Sequence, residues 1–301
     1  MAIKENHAAE QPGLVISYFG SSVAVLAEDG QVFPCQLRRN QELPVVGDRV
    51  LWCMGADQTG TIARIEDRQS LFARGDGRGK MKPIAANVDV IVIVMSPPPV
   101  FSEYLIDRYL IAAELLSIKP MLVINKIDLL DEAGLAEIKA RVAPYQAIAY
   151  SVVFSSVYAP DGLLALGQAL KQQTAVLVGP SGVGKSSIIS TLGHDLAIKV
   201  QDVSAKGAGK HTTTATRLYQ LPEGGRLIDS PGVREFNLWP VEKQDILRGF
   251  RDFEPFLHGC RFRDCSHMVE PGCGVQEAIA DGKISAKRMA SYKELVSKKT
   301  I

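Results

Sequence analysis

Short apolar runs separated by turn residues fill the first 70 residues of the chain. The runs lie at residues 14–16, 23–26, 32–35, 49–53 and 61–65. Turn signals such as Glu28-Asp29-Gly30 stand between them, and no stretch with helical periodicity intervenes. About five short strands at this spacing predict a small β-barrel. An OB-type barrel is favoured, and an SH3-like barrel is the alternative.

A different pattern begins after the glycine-rich basic stretch at residues 74–80, which we expect to be a flexible linker. Residues 88–95 are apolar except for Asp89, as in a strand buried on both faces of a parallel sheet. Further strand-like runs lie at 121–124, 147–154, 175–178 and 226–228, and helical stretches lie at 103–117, 162–171 and 185–192. This alternation predicts a doubly wound α/β sheet that binds its ligand at the carboxyl ends of the strands. From residue 241 onward the pattern is mostly helical.

Composition excludes some classes of protein. The 301 residues carry a net charge of +1, so the whole molecule is not a basic nucleic-acid binder. Residues 71–83 carry four basic and one acidic side chain, and residues 281–301 carry six and two. Each segment is expected either to contact phosphates or to be a solvated charged stretch. Because the sequence has neither an apolar run of membrane-spanning length nor a signal peptide, we expect a soluble, cytoplasmic protein without membrane contact.

A complete phosphate-loop motif, G-x-x-x-x-G-K-S, follows the apolar run at 175–178 and leads into a helical stretch. Its glycines allow backbone amides and the helix N-terminus to face phosphate oxygens. Lys185 is expected to reach the β- and γ-phosphates, and Ser186 is expected to ligate Mg²⁺. The predicted phosphate-binding residues are Gly179, Pro180, Ser181, Gly182, Val183, Gly184, Lys185, Ser186 and Ser187.

An N-K-x-D motif, Asn125-Lys126-Ile127-Asp128, precedes the phosphate loop by about fifty residues. In ordinary guanine-nucleotide enzymes the phosphate loop comes first. Asp128 is expected to accept two hydrogen bonds from guanine, a donor pair that adenine lacks, while Asn125 and Lys126 order the loops. The inverted order therefore predicts a GTP/GDP site threaded in a different sequence order. Ser155-Ser156 resembles the short serine loop that lies behind the base.

Asp229-Ser230-Pro231-Gly232 follows an apolar run and fits the D-x-x-G element. Asp229 is expected near Mg²⁺, and the amide of Gly232 near the γ-phosphate. Val233 stands where many small GTPases carry a water-orienting glutamine, and valine cannot position water. Catalysis must then use another group to position water, and His211 is the nearest candidate. The alternative is that His211 is an exposed loop residue with no catalytic role. One threonine of residues 212–214 is expected to ligate Mg²⁺.

Cys260, Cys265, His267 and Cys273 form the pattern C-x4-C-x-H-x5-C. Three thiolates and one imidazole complete a tetrahedral shell, which predicts one structural Zn²⁺ with no open catalytic position. Buried cysteines without a metal are the alternative. Because the chain has no secretory signal, metal ligation is preferred over disulfide bonds.

Together these features resemble the bacterial ribosome small-subunit-dependent GTPase A family, the circularly permuted GTPases also called RsgA, YjeQ or EngC. The barrel, N-K-x-D, the phosphate loop, G-K-H-T-T-T, D-S-P-G and the cysteine–histidine cluster occur in the family's order over nearly the whole chain. The resemblance implies a multidomain α/β protein with an OB-fold at residues 1–72, a permuted P-loop GTPase core at 73–240 and a mostly helical zinc domain at 241–301.

The resemblance also implies a function. Family members hydrolyse GTP in late maturation of the 30S ribosomal subunit, contact 16S rRNA and turn over faster when the subunit is bound. A hydrophobic residue after D-x-x-G agrees with this family, and we expect a monomer. Two other hypotheses are a GTP-dependent RNA-binding checkpoint protein with incidental hydrolysis, which Val233 leaves open, and an ATP-using P-loop enzyme, which Asp128 argues against.

Overall fold

The computed structural model describes residues 9–20, 22–38, 41–55, 59–75, 81–98, 101–193, 216–230 and 241–297. The N-terminal strands are β1 (Gln11–Tyr18), β2 (Ser22–Ala27), β3 (Val32–Gln36), β4 (Arg49–Met54) and β5 (Gly60–Ile65). They pair in the order β1-β2-β3-β5-β4, and β1 also pairs with β4. The sheet therefore closes on itself, which confirms the OB-like barrel.

The side chains that point inward from these strands fill the barrel. Val15, Val25, Trp52 and Ile62 are completely buried, and Cys35 is buried among them. Burial raises the pKa of the Cys35 thiol to about 12. Cys35 is therefore an unreactive core residue, as its position in an apolar strand suggests.

A two-stranded hairpin, β6 (Leu71–Gly75) and β7 (Met81–Ala86), follows the barrel. The prediction of a flexible linker is therefore wrong for Arg74 and Gly75, which pair with the second strand. Residues 76–80 lie outside the described residues. The hairpin packs against the barrel, since the Ala86 amide donates to the Val46 carbonyl at 2.9 Å. Glycine-rich composition alone gives no sign of this cross-strand pairing.

The central sheet contains β8 (Val90–Met95), β9 (Lys119–Ile124), β10 (Ser151–Phe154), β11 (Thr174–Val178), β12 (Arg217–Gln220) and β13 (Arg226–Asp229). Its order is β10-β9-β8-β11-β13-β12, with only β12 antiparallel. The helices beside it are α1 (Glu103–Leu115), α2 (Glu132–Ala147), α3 (Leu164–Ala169) and α4 (Lys185–Leu192). Because β8 to β11 and β13 are parallel, the loops after β9, β10, β11 and β13 meet at one edge of the sheet.

Two elements of this sheet are not evident from the apolar pattern. Helix α2 occupies residues 132–147, so β10 begins at Ser151 rather than at 147. The helix buries only Ile138, Val142 and Tyr145, which leaves too sparse a stripe to predict it. Strand β12 has four residues, of which only Leu218 is buried.

Strand β12 also joins the central sheet to the barrel. Ser17 of β1 is paired with Arg217 of β12, and the Ser17 hydroxyl donates to the Thr216 carbonyl at 3.3 Å. Ile16 and Leu218 belong to the same hydrophobic core. The barrel is therefore hydrogen bonded to the strand that neighbours β13, whose last residue belongs to D-x-x-G.

The C-terminal segment is mostly helical, as predicted. It contains α5 (Lys243–Ile246), two 3₁₀ segments (Leu247–Gly249 and Arg251–Gly259), α6 (Gly274–Ala280) and α7 (Ala286–Ser297). The rings of Phe250 and Phe253 lie 5.2 Å from that of Tyr292, in the same core as helix α1. Within the described ranges, no helix has the length and apolar character needed to cross a membrane.

Candidate functional site

The loops after β9, β10 and β11 surround a cleft of about 380 Å³. The N-K-x-D loop and the serine loop form one side, and the phosphate loop with the start of α4 forms the other. The lining residues are Asn125, Lys126, Asp128, Leu129, Val157, Tyr158, Ser181, Gly182, Gly184, Lys185, Ser186 and Ser187. Two motifs that are far apart in sequence therefore line one cavity.

The phosphate loop requires glycine where its backbone turns. Gly179, Gly182 and Gly184 have φ angles of 143°, 83° and 99°, a region that other residues rarely adopt. A Cβ at Gly179 would lie 2.3 Å from the Val94 carbonyl oxygen, and one at Gly184 would lie 2.3 Å from Asn125 Nδ2. The loop can therefore approach β8 and the N-K-x-D motif closely, and α4 begins directly behind it with its first turn at the cleft.

The Lys185 side chain folds over the phosphate loop. Its Nζ donates to the carbonyl oxygens of Gly179 and Pro180, each at 2.6 Å. The ammonium therefore lies where the loop can receive an anion. A phosphate oxygen that replaces these carbonyls would make a stronger, charge-assisted hydrogen bond.

Two hydrogen bonds tie the N-K-x-D motif to the phosphate loop. Asn125 Nδ2 donates to the Val183 carbonyl at 2.9 Å, and Lys126 Nζ donates to the Gly182 carbonyl at 2.6 Å. Asn125 is buried, whereas Asp128 is exposed at the cleft. The two motifs therefore form one structural unit with a carboxylate on its open side.

The serine loop after β10 contacts both polar ends of N-K-x-D. The Ser156 hydroxyl donates to Asp128 Oδ1, and the Ser155 hydroxyl donates to Asn125 Oδ1 at 3.1 Å. Ser156 Oγ also accepts hydrogen bonds from the backbone amides of Tyr158 and Ala159, each at 3.1 Å. Ser156 therefore holds the Asp128 carboxylate in place.

Asp229 ends strand β13 at the same edge of the sheet. Beside it, the Thr216 hydroxyl donates to Ser230 Oγ at 3.1 Å. The other predicted catalytic and switch residues lie outside the described residues: His211, Thr212, Thr213, Thr214, Gly232 and Val233. Their roles stay predictions.

Cys260, Cys265, His267 and Cys273 lie together, with their ligand atoms within 4.8 Å of one another. The sulfurs of Cys260 and Cys273 are 3.9 Å apart, and each is 3.5 Å from His267 Nδ1. A tetrahedral site with Zn–S of about 2.3 Å and Zn–N of about 2.0–2.1 Å places two sulfurs about 3.8 Å apart and sulfur and nitrogen about 3.5 Å apart. These distances fit one zinc ion held through Nδ1 of the histidine.

Hydrogen bonds around this cluster fix the loop that carries the ligands. The Glu270 carboxylate accepts bonds from three backbone amides, beginning with Ser266 at 2.7 Å. Hydrogen bonds from the side chain and then the backbone of Ser266 lower the pKa of Glu270 to about 2. Gln276 Nε2 donates to the His267 carbonyl at 2.6 Å. Burial lowers the pKa of His267, which favours the neutral imidazole that metals bind. The loop is therefore held in a form suited to a metal.

Sequence reasoning missed the apolar side chains that line this cleft, and two of them are strongly exposed. Leu129 is 59% exposed and Tyr158 is 84% exposed, and both line the cavity beside Asp128. Neither belongs to a motif. The only available signal is their position directly after N-K-x-D and shortly after the serine pair.

A phosphate loop that opens a helix, together with an N-K-x-D motif that precedes it in sequence and adjoins it in space, defines a circularly permuted GTPase. The family model described as RsgA GTPase matches residues 65–239. The chain therefore belongs to the RsgA GTPase family and is a GTPase, which confirms the resemblance drawn from the motifs.

Curated relatives match the chain over most of its length. The small ribosomal subunit biogenesis GTPase RsgA of Chromohalobacter salexigens is 46% identical over 296 residues, which cover 97% of this chain and 87% of that protein. The protein of the same name from Pseudomonas syringae is 44% identical over 293 residues, covering 96% and 85%. The similarity therefore includes the barrel and the C-terminal unit.

Solved structures share the same architecture. YjeQ from Thermotoga maritima superimposes with a TM-score of 0.76 at 30% identity, covering 95% of this chain and 97% of that one. YloQ, described as a circularly permuted GTPase, gives a TM-score of 0.74 at 29% identity, covering 99% and 97%. Both similarities extend over almost the full length, which supports the three-part fold.

Proposed function

We propose that this chain hydrolyses GTP during biogenesis of the small ribosomal subunit. The observation that carries the proposal is the single cleft formed by N-K-x-D and the phosphate loop, which Lys126 and Asn125 connect directly. The relatives from Chromohalobacter and Pseudomonas are both named as small ribosomal subunit biogenesis GTPases. The cleft supports the reaction, and the relatives support the biological process.

Asp128 reads the guanine base in this proposal. Its carboxylate, held by Ser156, accepts hydrogen bonds from the ring N–H and the amino group of guanine, and adenine would leave it poorly paired. Asn125, Lys126 and Ile127 hold the loop. The phosphates of GTP or GDP lie over the backbone of residues 179–187, where Lys185 exchanges its two carbonyl partners for phosphate oxygens.

Hydrolysis also needs Mg²⁺, which neutralises charge on the β- and γ-phosphates. Ser186 lies in the first turn of α4, after the loop that follows β11, and Asp229 ends β13, the strand paired with β11. Their hydroxyl and carboxylate supply oxygens of the kind that Mg²⁺ prefers. Lys185 offsets the remaining negative charge in the transition state. From the sequence, the Gly232 amide meets the γ-phosphate, and His211 positions the attacking water because Val233 has no polar atom.

The partner in this proposal is the small subunit, contacted through 16S rRNA by a monomer of this chain in the cytoplasm. The barrel and the zinc-binding unit bind the RNA together, from two sides. The GTPase core sets the position of these two units relative to each other. Strand β12 supports this coupling, since it is hydrogen bonded to the barrel through Ser17 and lies beside β13 in the GTPase sheet.

The basic C-terminal segment contributes less to RNA binding than its charge suggests. Arg288 is only 1% exposed and pairs with Asp107 and Asp252, so it is neither a phosphate contact nor a solvated charge of the basic segment 281–301. Lys287 is exposed but pairs with Glu103 at 3.1 Å. Lys293 is exposed and remains a phosphate-binding residue in the proposal.

The test is GTP turnover with and without purified 30S subunits, with 50S subunits as the control particle. We expect 30S subunits to raise turnover, 50S subunits to leave it unchanged, and Lys185→Ala to abolish it under both conditions. If 30S subunits bind in a GTP-dependent manner but do not change turnover, the checkpoint function, which Val233 leaves open, replaces this proposal.

A further inference from the structure

Tyr158 is the most exposed aromatic side chain among the described residues, at 84%. It does not lie on the outer surface of the barrel or of a helix. It lies on the rim of the nucleotide-site cleft, which it lines together with Lys126 and Asp128. An exposed ring beside a polar cavity is the arrangement of a ligand contact rather than of a core residue.

The backbone that carries this ring is held in place. The Tyr158 amide donates to Ser156 Oγ at 3.1 Å, the Ser156 amide donates to the Gly162 carbonyl at 3.1 Å, and the Gly162 amide donates to the Ala159 carbonyl at 3.0 Å. The same Ser156 hydroxyl donates to the Asp128 carboxylate. One hydroxyl therefore connects the Tyr158 backbone to the Asp128 carboxylate, which fixes where the aromatic side chain is attached relative to the base-reading residue.

The Lys126 side chain forms another wall of the same cleft. Its Nζ reaches the Gly182 carbonyl at 2.6 Å, and its Cε would lie 3.8 Å from a Cβ placed on Gly184. The methylenes therefore extend from N-K-x-D to the phosphate loop. When the edge of a base meets Asp128, one face of the base can pack on these methylenes. The opposite face then lies toward the serine loop.

We propose that Tyr158 packs its ring against the guanine base of bound GDP or GTP, on the face opposite Lys126. The inference rests on the proposed guanine site at Asp128. Every base has a π-face, so the ring adds affinity while Asp128 supplies the choice of base. The contact does not involve the γ-phosphate, so it strengthens GDP and GTP binding equally and leaves the chemical step unchanged.

The test compares Tyr158→Ala and Tyr158→Phe by calorimetric titration with GDP. The control is Leu164→Ala, which removes a side chain that is 54% exposed and lies outside the lining of this cleft. Tyr158→Ala should raise the Kd for GDP about tenfold, because base–aromatic stacking has this order of magnitude. Tyr158→Phe should stay within about twofold, and Leu164→Ala should match the parent.

Steady-state hydrolysis gives the second measurement. In Tyr158→Ala the KM for GTP should rise while kcat at saturating GTP and the melting temperature without nucleotide stay at the parent values. A Kd within twofold of the parent for Tyr158→Ala would overturn the inference, and so would an equal loss in Tyr158→Phe, which would assign the effect to the hydroxyl.

Xanthosine diphosphate binding by Asp128→Asn separates the stacking proposal from the proposed guanine site. If that variant prefers xanthosine diphosphate while Tyr158→Ala is silent, only the stacking contact is rejected; if it still prefers GDP, the guanine site itself is rejected.

Discussion

Arg288 on α7 and Asp107 on α1 form an ion pair in which the two side chains are 2% and 0% exposed. Arg288 also pairs with Asp252 at 2.6 Å and lies 4.4 Å from the ring centroid of Phe250. The Tyr145 hydroxyl of α2 donates to Asp107 at 3.0 Å. A buried polar network therefore attaches the C-terminal unit to two helices of the GTPase core.

We expect Arg288→Ala to destabilise the protein by about 3–5 kcal/mol, because it leaves two carboxylates without their buried cation. Lys287→Ala is the matched control, since the neighbouring residue makes an exposed ion pair with Glu103 and should cost less than about 1 kcal/mol. Urea unfolding followed by circular dichroism measures both. Equal midpoints for the two variants would contradict the role given to the buried network.

Asp128→Asn should change base preference from GTP to xanthosine triphosphate. The amide presents a donor where guanine also offers donors, and a hydrogen bond to a charged group is worth about 1.5–3 kcal/mol. Competition between the two triphosphates, measured by equilibrium binding, should show a preference for xanthosine triphosphate of at least about tenfold. A variant that still selects GTP would disprove the assignment of Asp128.

Lys185→Ala should lower GTP turnover by at least about 100-fold, because the transferring phosphoryl group loses a preorganised cation. His211→Ala should spare GTP binding and slow turnover on 30S subunits by about 100-fold if this histidine positions the water. His258→Ala is the control, since His258 is exposed in a 3₁₀ segment. Single-turnover rates of GTP hydrolysis measure these effects. If His211→Ala hydrolyses GTP at the parental rate, another group positions the attacking water.

Cys265→Ser should remove most of the bound zinc and loosen residues 260–273 before the rest of the chain. Four ligands at this spacing give the segment little apolar core, so metal binding provides much of its folding free energy. GTP binding should survive, whereas 30S pelleting and 30S-stimulated hydrolysis should fall together. Metal analysis and hydrogen exchange measure these effects, with Cys53→Ser, a barrel cysteine outside the cluster, as the control. A parent protein without zinc would overturn this prediction at its first step.

The free energy of unfolding should fall in acid because the Glu103 carboxylate becomes protonated. Burial raises the pKa of this carboxyl, but hydrogen bonds from Arg141 and Lys287 outweigh burial and lower the pKa to about 2. Since a free glutamate has a pKa of about 4.3, the stabilisation is complete above that value and is lost as pH falls from there toward 2. Solvent screening keeps the effect to about 1 kcal/mol. Glu103→Gln should reduce the difference in unfolding free energy between pH 5 and pH 3. Glu137→Gln should not, because the Glu137 side chain is 69% exposed.

The sequence determined the parts of this protein whose chemistry lies within short segments. Gly179 to Ser186 specifies a strand–loop–helix turn because three of its positions have φ angles that residues other than glycine rarely adopt. Asn125, Lys126 and Asp128 follow directly after an apolar strand. Four side chains of metal-ligating type between residues 260 and 273 need no distant partner to be recognised. The short apolar runs at residues 14–65 likewise predict the barrel, and the apolar runs separated by helical stretches predict the parallel sheet.

Only the tertiary structure decided which distant residues meet. Arg288 looks like a surface cation in a basic segment, yet it is buried because α7 packs against α1, and its partner Asp107 lies 181 residues earlier. The pairing of β1 with β12, through Ser17 and Arg217, joins segments 200 residues apart, and the exposure of Tyr158 depends on where the serine loop places it. Each of these contacts depends on the order and register of whole elements, and local periodicity carries no information about which element will lie beside which.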